Sequence, residues 1–173
     1  RPSCKSPGKC TYCPDINTTG TFTHPVSRKT YSVMRNVCCQ STNLIYLLQC
    51  TECNALYVGQ TKNAIMKRTY QHKYSIRRND INSTVARHYN AHDPVNPDNM
   101  IIHVLEFVKL PPESFTAWQL RLQRERVWIS RLDTLIPTGL NLLEWMFWVV
   151  PPRVNKDGPL LSSHSVEGPW LLV

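Results

Sequence analysis

Two Cys and two His residues are spaced as metal ligands are. Cys50 and Cys53 form a Cys-x-x-Cys pair, and His88 and His92 form a His-x-x-x-His pair. Cys-x-x-Cys places two thiolates on one turn, and His residues at i and i+4 of a helix face the same way. The sequence therefore predicts a structural Zn²⁺ site with four protein ligands. The alternative is two unconnected features, a reduced thiol pair and two surface histidines.

A second group of cysteines lies in the first forty residues. Cys4, Cys10 and Cys13 precede the adjacent pair Cys38 and Cys39. Three of these thiols with one later cysteine would complete a second zinc site. The sequence does not choose between Cys38 and Cys39, and free thiols or a disulfide are the alternatives for this segment.

Glu125 interrupts an apolar helical stripe formed by Trp118, Leu122, Ile129 and Leu132. Burying a carboxylate is costly unless it is paired or bound to a metal. Glu125 is therefore a metal ligand, the salt-bridge partner of Arg121 or of a neighbouring strand, or a residue at the solvent-exposed edge of the stripe.

A basic segment spans residues 62–78, KNAIMKRTYQHKYSIRR, and contains no acidic residue. The whole chain carries a formal charge of +8, so an anionic partner is expected. The segment predicts phosphate contacts on a helix, with a solvated surface as the alternative. The predicted DNA-binding residues are Lys62, Lys67, Lys73, Arg77 and Arg78.

Periodicity places these residues on an α+β framework. Strands are predicted over 44–49, 55–59 and 100–108, and helices over 62–78, 85–92 and 116–132. The prediction is a small three-stranded antiparallel sheet flanked by helices, with a Cys-rich N-terminal segment. Residues 1–42 form that leader, residues 43–142 the main domain, and residues 143–173 an irregular or disordered tail. No apolar run approaches the ~20 residues that a membrane helix needs.

The order LIY (44–46), YVG (57–59), Arg68 with His72, Glu125 and Asn141 resembles the GIY-YIG nuclease superfamily. The stretches CTECNALYVGQT and ERVWISRLDTLIPTGLN are similar to the endonuclease domain of Penelope-like retroelements. This resemblance covers roughly residues 38–142. Leucine replaces the first glycine of the superfamily motif, and valine replaces the isoleucine of its second triplet.

The resemblance implies a metal-dependent DNA endonuclease that nicks DNA for retroelement insertion. Glu125 would hold one Mg²⁺ or Mn²⁺, Tyr46 would position or deprotonate the attacking water, and Arg68 would contact the phosphate. Tyr57 and His72 would assist proton transfer, and Asn141 would orient the site. The implied partners are DNA, an upstream reverse transcriptase domain and the element RNA, and the implied location is the nucleus.

Two other function classes remain open from the sequence. The first is a zinc-stabilised nucleic-acid-binding module that has lost catalysis. The second is a secreted disulfide-rich domain.

Overall fold

The structure, a computed structural model, describes residue 4, residues 10–109 and residues 114–142, without the side chains of 114–116. The predicted tail at 143–173 lies outside these ranges. In chain order the elements are β1 (Thr21–Thr23), β2 (Thr30–Ser32), β3 (Leu44–Cys50), β4 (Leu56–Thr61), α1 (Ile65–Arg77), α2 (Thr84–Asn90), β5 (Met100–Phe107) and α3 (Ser114–Arg131). The predicted α+β class, with a three-stranded antiparallel sheet flanked by helices, is confirmed. Strands β1 and β2 were not predicted from the sequence.

The central strand β3 is buried on both faces of the sheet. The sheet has the order β4-β3-β5, with antiparallel pairing on both sides of β3. Alternate β3 side chains enter two separate cores, so Tyr46 packs in one and Ile45 and Leu47 pack in the other. A strand that is covered on both faces needs apolar residues at successive positions. This explains why residues 44–48 form an uninterrupted apolar run.

The two cores place α1 and α2 on one face of the sheet and α3 on the other. Ile65 and Ile76 of α1 and Tyr89 of α2 share a core with Tyr46. Trp128 and Ile129 of α3 pack on the opposite face, together with Phe22 of β1. The helix predicted for 62–78 begins at Ile65 because β4 continues to Thr61. No helix in the described ranges combines the length and apolar character needed to cross a bilayer.

The free edge of β5 is covered by the N-terminal segment. The backbone N–H of Ile102 donates to Asp15 O at 2.7 Å, and the N–H of Asn17 donates to Ile102 O at 2.8 Å. Further along, Met34 N–H donates to Val104 O at 2.8 Å. A covered edge cannot recruit a strand from another chain. Residues 15–34 thus complete the sheet, while the predicted domain boundary at residue 42 stays a prediction.

Candidate functional site

A hydrogen-bonded network joins β3 to α1 at Tyr46. The Tyr46 hydroxyl accepts a hydrogen bond from Arg68 Nε at 2.8 Å and lies 2.7 Å from His72 Nε2. Arg68 and His72 are one helical turn apart, so both side chains reach the same part of the sheet. The structure therefore brings together three of the residues that the sequence predicts for catalysis.

The protonation states in this network follow from burial. Burial, together with the charge of Arg68, lowers the pKa of His72 to about 3. Burial raises the pKa of Tyr46, and the charge of Arg68 opposes that shift. A neutral imidazole has one nitrogen that accepts a hydrogen bond. His72 Nε2 accordingly accepts from the Tyr46 hydroxyl, whose oxygen already accepts from Arg68.

Gly59 provides the space that the Tyr46 ring occupies. Tyr46 and Gly59 are directly opposite each other on β3 and β4. A Cβ atom at position 59 would lie 2.6 Å from Tyr46 Cζ, closer still to its hydroxyl oxygen, and 2.9 Å from Tyr57 Cε1. The glycine of the YVG motif is needed here because a side chain would displace Tyr46.

Tyr57, Arg68 and His72 open onto a cleft of about 250 Å³. The far wall of the cleft is formed by residues 82–85 at the start of α2. The rings of Tyr57 and His72 meet edge to face, with centroids 5.7 Å apart. Burial raises the pKa of Tyr57, so its hydroxyl is protonated at neutral pH. Tyr46 is fully buried, whereas Tyr57 faces the cleft directly.

Glu125 lies on the inner face of α3, where it is 2% exposed. Burial raises the pKa of its carboxyl to about 7, while the Arg68 charge and the Gln60 backbone N–H oppose that shift. Its Oε2 atom is buried and has no hydrogen-bond partner in the described part of the chain. An unpartnered buried carboxylate oxygen is a suitable ligand for Mg²⁺ or Mn²⁺.

Arg121, the alternative partner of Glu125, makes other contacts. Its Nε donates to the side-chain oxygen of Gln60 at 3.1 Å, and its Nη1 donates to that of Asn43 at 3.4 Å. Gln60 thus contacts Arg121 through its side chain and Glu125 through its backbone N–H. The sequence did not identify Gln60, because a residue of almost any type can donate a hydrogen bond from its backbone N–H.

Asn141 binds the outer edge of β4. Its side-chain oxygen accepts from Val58 N–H at 2.9 Å, and its side-chain nitrogen donates to Val58 O at 2.8 Å. Thr134 Oγ1 donates to the same amide oxygen at 2.8 Å. The amide of Asn141 therefore pairs with Val58 as a neighbouring strand would.

Cys50, Cys53, His88 and His92 form one cluster, and their candidate ligand atoms all lie within 4.8 Å of one another. The separations include 3.2 Å between the two His Nε2 atoms and 3.3 Å between Cys53 Sγ and His88 Nε2. A tetrahedral site with Zn–N and Zn–S bonds of ordinary length has edges of about 3.3–3.8 Å. The cluster can hold a metal ion with little movement of its ligands.

Glu52 adds an outer contact to this cluster that sequence reasoning missed. Its carboxylate lies 3.4 Å from Nδ1 of His92. Carboxylates commonly contact the second nitrogen of a metal-binding histidine and orient the ring. The only signal in the sequence is the position of Glu52 inside the Cys-x-x-Cys turn.

The second cluster consists of Cys4, Cys10, Cys13 and Cys39. Of the two candidates for the fourth member, the structure places Cys39 in the cluster and not Cys38. Cys39 is buried and its Sγ lies 3.4 Å from that of Cys4, whereas Cys38 Sγ accepts from Ser41 Oγ at 3.8 Å. Adjacent side chains point in different directions, so only one can face the other thiols. All seven cysteines lie in the described ranges and are free thiols, so the disulfide alternative is not formed.

The basic residues predicted to bind DNA fall into two groups. Lys62, Lys67, Arg77 and Arg78 are exposed. The prediction for Lys73 is wrong because this side chain is buried, with its Nζ 2.7 Å from Asp15 and 2.8 Å from Asp98. Lys73 follows Thr69 by one helical turn and lies on the inner face of α1. It pairs with carboxylates of this chain instead of with phosphate.

Comparisons with known proteins found a limited similarity to two solved structures. The sequence matches no family model, and no curated protein matches it. Two solved structures, the catalytic domain of the homing endonuclease I-TevI and a mutant of the same catalytic domain of that intron endonuclease, are each 28% identical to this chain with a TM-score of 0.43. Each alignment covers 56% of this chain, and 94% and 89% of those chains respectively. At this TM-score the likeness carries no weight, and the functional assignment rests on the side-chain geometry.

Proposed function

We propose that this chain is a metal-dependent DNA endonuclease of the GIY-YIG type. The observation that carries the proposal is the network in which Arg68 donates to Tyr46 and Tyr46 contacts neutral His72. Burial raises the pKa of Glu125 to about 7 and the charge of Arg68 opposes that shift, so the free carboxylate oxygen of Glu125 would serve as the cation ligand. A phosphate-binding cation, a proton acceptor and a metal ligand together are what phosphodiester hydrolysis requires.

The residues divide the chemistry between them. Arg68 binds the scissile phosphate through its guanidinium. Tyr57, which faces the cleft, positions the attacking water. As the water oxygen bonds to phosphorus and the bond from phosphorus to the 3′ oxygen breaks, the Tyr46 hydroxyl takes the water proton and passes its own proton to His72 Nε2, and the departing 3′ oxygen takes a proton from solvent. The incoming phosphate raises the pKa of His72 because negative charge favours the imidazolium. A divalent cation on Glu125 would polarise the phosphate and stabilise the departing 3′ oxygen.

In this proposal the Cys-His cluster and the four-Cys cluster stabilise the fold. Four protein ligands leave no open position for substrate, so Zn²⁺ at each cluster would be structural. Cys53 in the turn after β3 and His88 on α2 would both hold the first ion. Cys39, just before β3, and the cysteines of the N-terminal segment would hold the second.

The biological setting follows from the sequence resemblance. The chain would be the endonuclease domain of a Penelope-like retroelement that nicks DNA at the insertion site. It would act in the nucleus with an upstream reverse transcriptase domain and the element RNA. The stretches 50–61 and 125–141, which carry the resemblance, include Tyr57, Glu125 and Asn141.

A plasmid-nicking assay with Mg²⁺ or Mn²⁺ tests the proposal. We expect the parent protein to convert supercoiled plasmid to open circles, and Glu125→Gln to lower the rate by about 10³-fold or more because it removes the cation ligand. Glu106→Gln is the matched control, since the partly buried Glu106 pairs with Arg124 at 2.7 Å and has no role in the proposed chemistry. For the metal-free control, Mg²⁺ and Mn²⁺ should be removed by dialysis, because a chelator would also remove zinc.

Two outcomes would contradict the proposal. Equal nicking by the parent and Glu125→Gln would remove Glu125 from the site. DNA binding with a steep salt dependence, but without nicking in Mg²⁺ or Mn²⁺, would identify a zinc-stabilised binding module instead.

A further inference from the structure

Two tyrosines form an exposed aromatic pair on the outer face of α1. Tyr70 is 47% exposed and Tyr74 is 44% exposed, and their rings stack with centroids 5.9 Å apart at an interplanar angle of 25°. The Arg78 guanidinium lies 5.6 Å from the Tyr74 ring centroid and donates to the Tyr74 hydroxyl at 2.8 Å. The three side chains form a continuous ladder along one helix face. We call this set the tyrosine ladder.

The side chains around the tyrosine ladder indicate which kind of ligand it can bind. Lys67 and Arg77 are exposed on the same side of α1, and the helix contains no acidic residue. Flat aromatic faces beside cations suit a ligand that is both flat and anionic. Nucleobases joined by phosphates have both properties, and stacking on aromatic side chains is the usual way in which proteins bind unpaired bases.

The tyrosine ladder is continuous with the candidate active site. Ser75 lines both the cleft of Tyr57, Arg68 and His72 and a second cleft of about 420 Å³. Tyr74, Arg78 and residues 79–81 line this second cleft. A strand that leaves the first cleft past Ser75 therefore arrives at the ladder.

One acidic residue lines the described part of the second cleft. Asp80 accepts a hydrogen bond from Asn82 N–H at 3.0 Å, so its carboxylate is held by the loop. Ile81 beside it is 70% exposed and adds an apolar contact for a base. The cleft therefore offers stacking and apolar surface next to the cations of α1.

We propose that the tyrosine ladder stacks unpaired bases of the DNA substrate next to the cleavage site. Paired bases in an uninterrupted duplex hide their faces in the helical stack, so only an unpaired strand can use the ladder. The protein should accordingly prefer a forked or gapped duplex to a fully paired one. This inference rests on the proposed function for its choice of DNA as the ligand.

Binding measurements without cleavage test the inference. The protein is the full chain with Glu125→Gln and both zinc ions, in buffer without Mg²⁺. The probes are a fully paired duplex and a forked duplex of the same sequence, with 2-aminopurine in the unpaired arm. The ladder variants are Tyr70→Leu and Tyr74→Leu, and the matched controls are Tyr70→Phe and Tyr74→Phe, which keep the rings.

We expect the forked duplex to bind about tenfold more tightly than the paired one, with quenching of 2-aminopurine fluorescence. Each leucine variant should reduce this ratio towards one, and each phenylalanine variant should keep it. Equal binding of both probes by the parent would overturn the inference, as would an unchanged ratio in the leucine variants. Tighter binding of an RNA strand than of the matching DNA strand would overturn it too, because the ladder would then serve RNA.

Failure of this inference can be distinguished from failure of the proposed function. Nicking without a preference for forked DNA removes only the role of the ladder. A preference for forked DNA without nicking removes only the catalytic assignment.

Discussion

Gly59→Ala perturbs the geometry of the candidate site without removing any of its reacting groups. The new methyl group would lie 2.6 Å from Tyr46 Cζ, and ordinary contact begins at 3.4 Å. The Tyr46 ring must therefore retreat by about 0.8 Å at Cζ. Because Tyr46 is fully buried and its hydroxyl is held at 2.7 Å by His72 and 2.8 Å by Arg68, both hydrogen bonds must distort.

Two quantities should change in this variant. Overpacking of a buried site costs about 1–3 kcal/mol, so the free energy of unfolding should fall by that amount. Misplacement of a reacting group by about 1 Å costs about 10²-fold in rate, so nicking should slow to a similar extent. The zinc content should remain that of the parent, since the substitution lies outside both clusters.

A double-mutant cycle isolates the contact between positions 46 and 59. Tyr46→Leu removes Cζ and the hydroxyl, so Gly59→Ala in this background should cost much less stability than in the parent. Urea unfolding gives the four free energies, and plasmid nicking gives the rate of Gly59→Ala. An equal cost in both backgrounds, or parental nicking by Gly59→Ala, would refute the steric account.

Three further predictions test the corrected residues and the protonation state of the network. Cys39→Ser should lose one equivalent of zinc by metal analysis, whereas Cys38→Ser should retain both equivalents. Lys67→Met should reduce the slope of log affinity against log salt by about 1 in DNA titrations. Lys73→Met should leave that slope unchanged and lower the free energy of unfolding by about 1–3 kcal/mol, because Asp15 loses its buried partner. The pKa of His72 is about 3 in the folded chain and about 6.5 when unfolded. The stabilisation that neutral His72 provides is therefore complete above pH 6.5, and it is lost as the pH falls towards 3. The stability advantage of the parent over His72→Gln should therefore shrink by up to ~1.4 kcal/mol per pH unit in that window, as measured by urea unfolding.

Local sequence signals were sufficient for the framework of the site. The apolar run at 44–48 predicts β3 because a strand buried on both faces has no polar alternation. The spacing of Arg68 and His72 predicts one helix face, and α1 places both at Tyr46. Glu125 in an apolar stripe predicts a buried carboxylate, and the structure places it at 2% exposure.

The features that sequence reasoning missed depend on partners that are distant along the chain. In the sequence, Lys73 cannot be distinguished from its basic neighbours, because its partners Asp15 and Asp98 are distant along the chain. Cys38 and Cys39 differ only in the direction of their side chains, which the surrounding loop decides. Sequence spacing cannot provide this information because it arises from tertiary contacts.

The outer edge of β4 connects the metal cluster to the candidate active site. Leu56 O accepts from Leu140 N–H at 2.9 Å, Val58 binds the Asn141 amide, and Gln60 N–H contacts Glu125. Leu56, Val58 and Gln60 are every second residue of β4, so the backbone groups of the intervening Tyr57 and Gly59 face β3.

A slip of one residue in the β3–β4 register would exchange the two sets of backbone groups. It would separate Asn141 and Glu125 from their donors and move Gly59 away from Tyr46. The turn between β3 and β4 follows Cys50 and contains Cys53, and a metal ion held by these two residues with His88 and His92 would restrain it. On the proposed function, a metal ion held by this cluster would therefore support the catalytic residues of the hairpin without contacting the substrate.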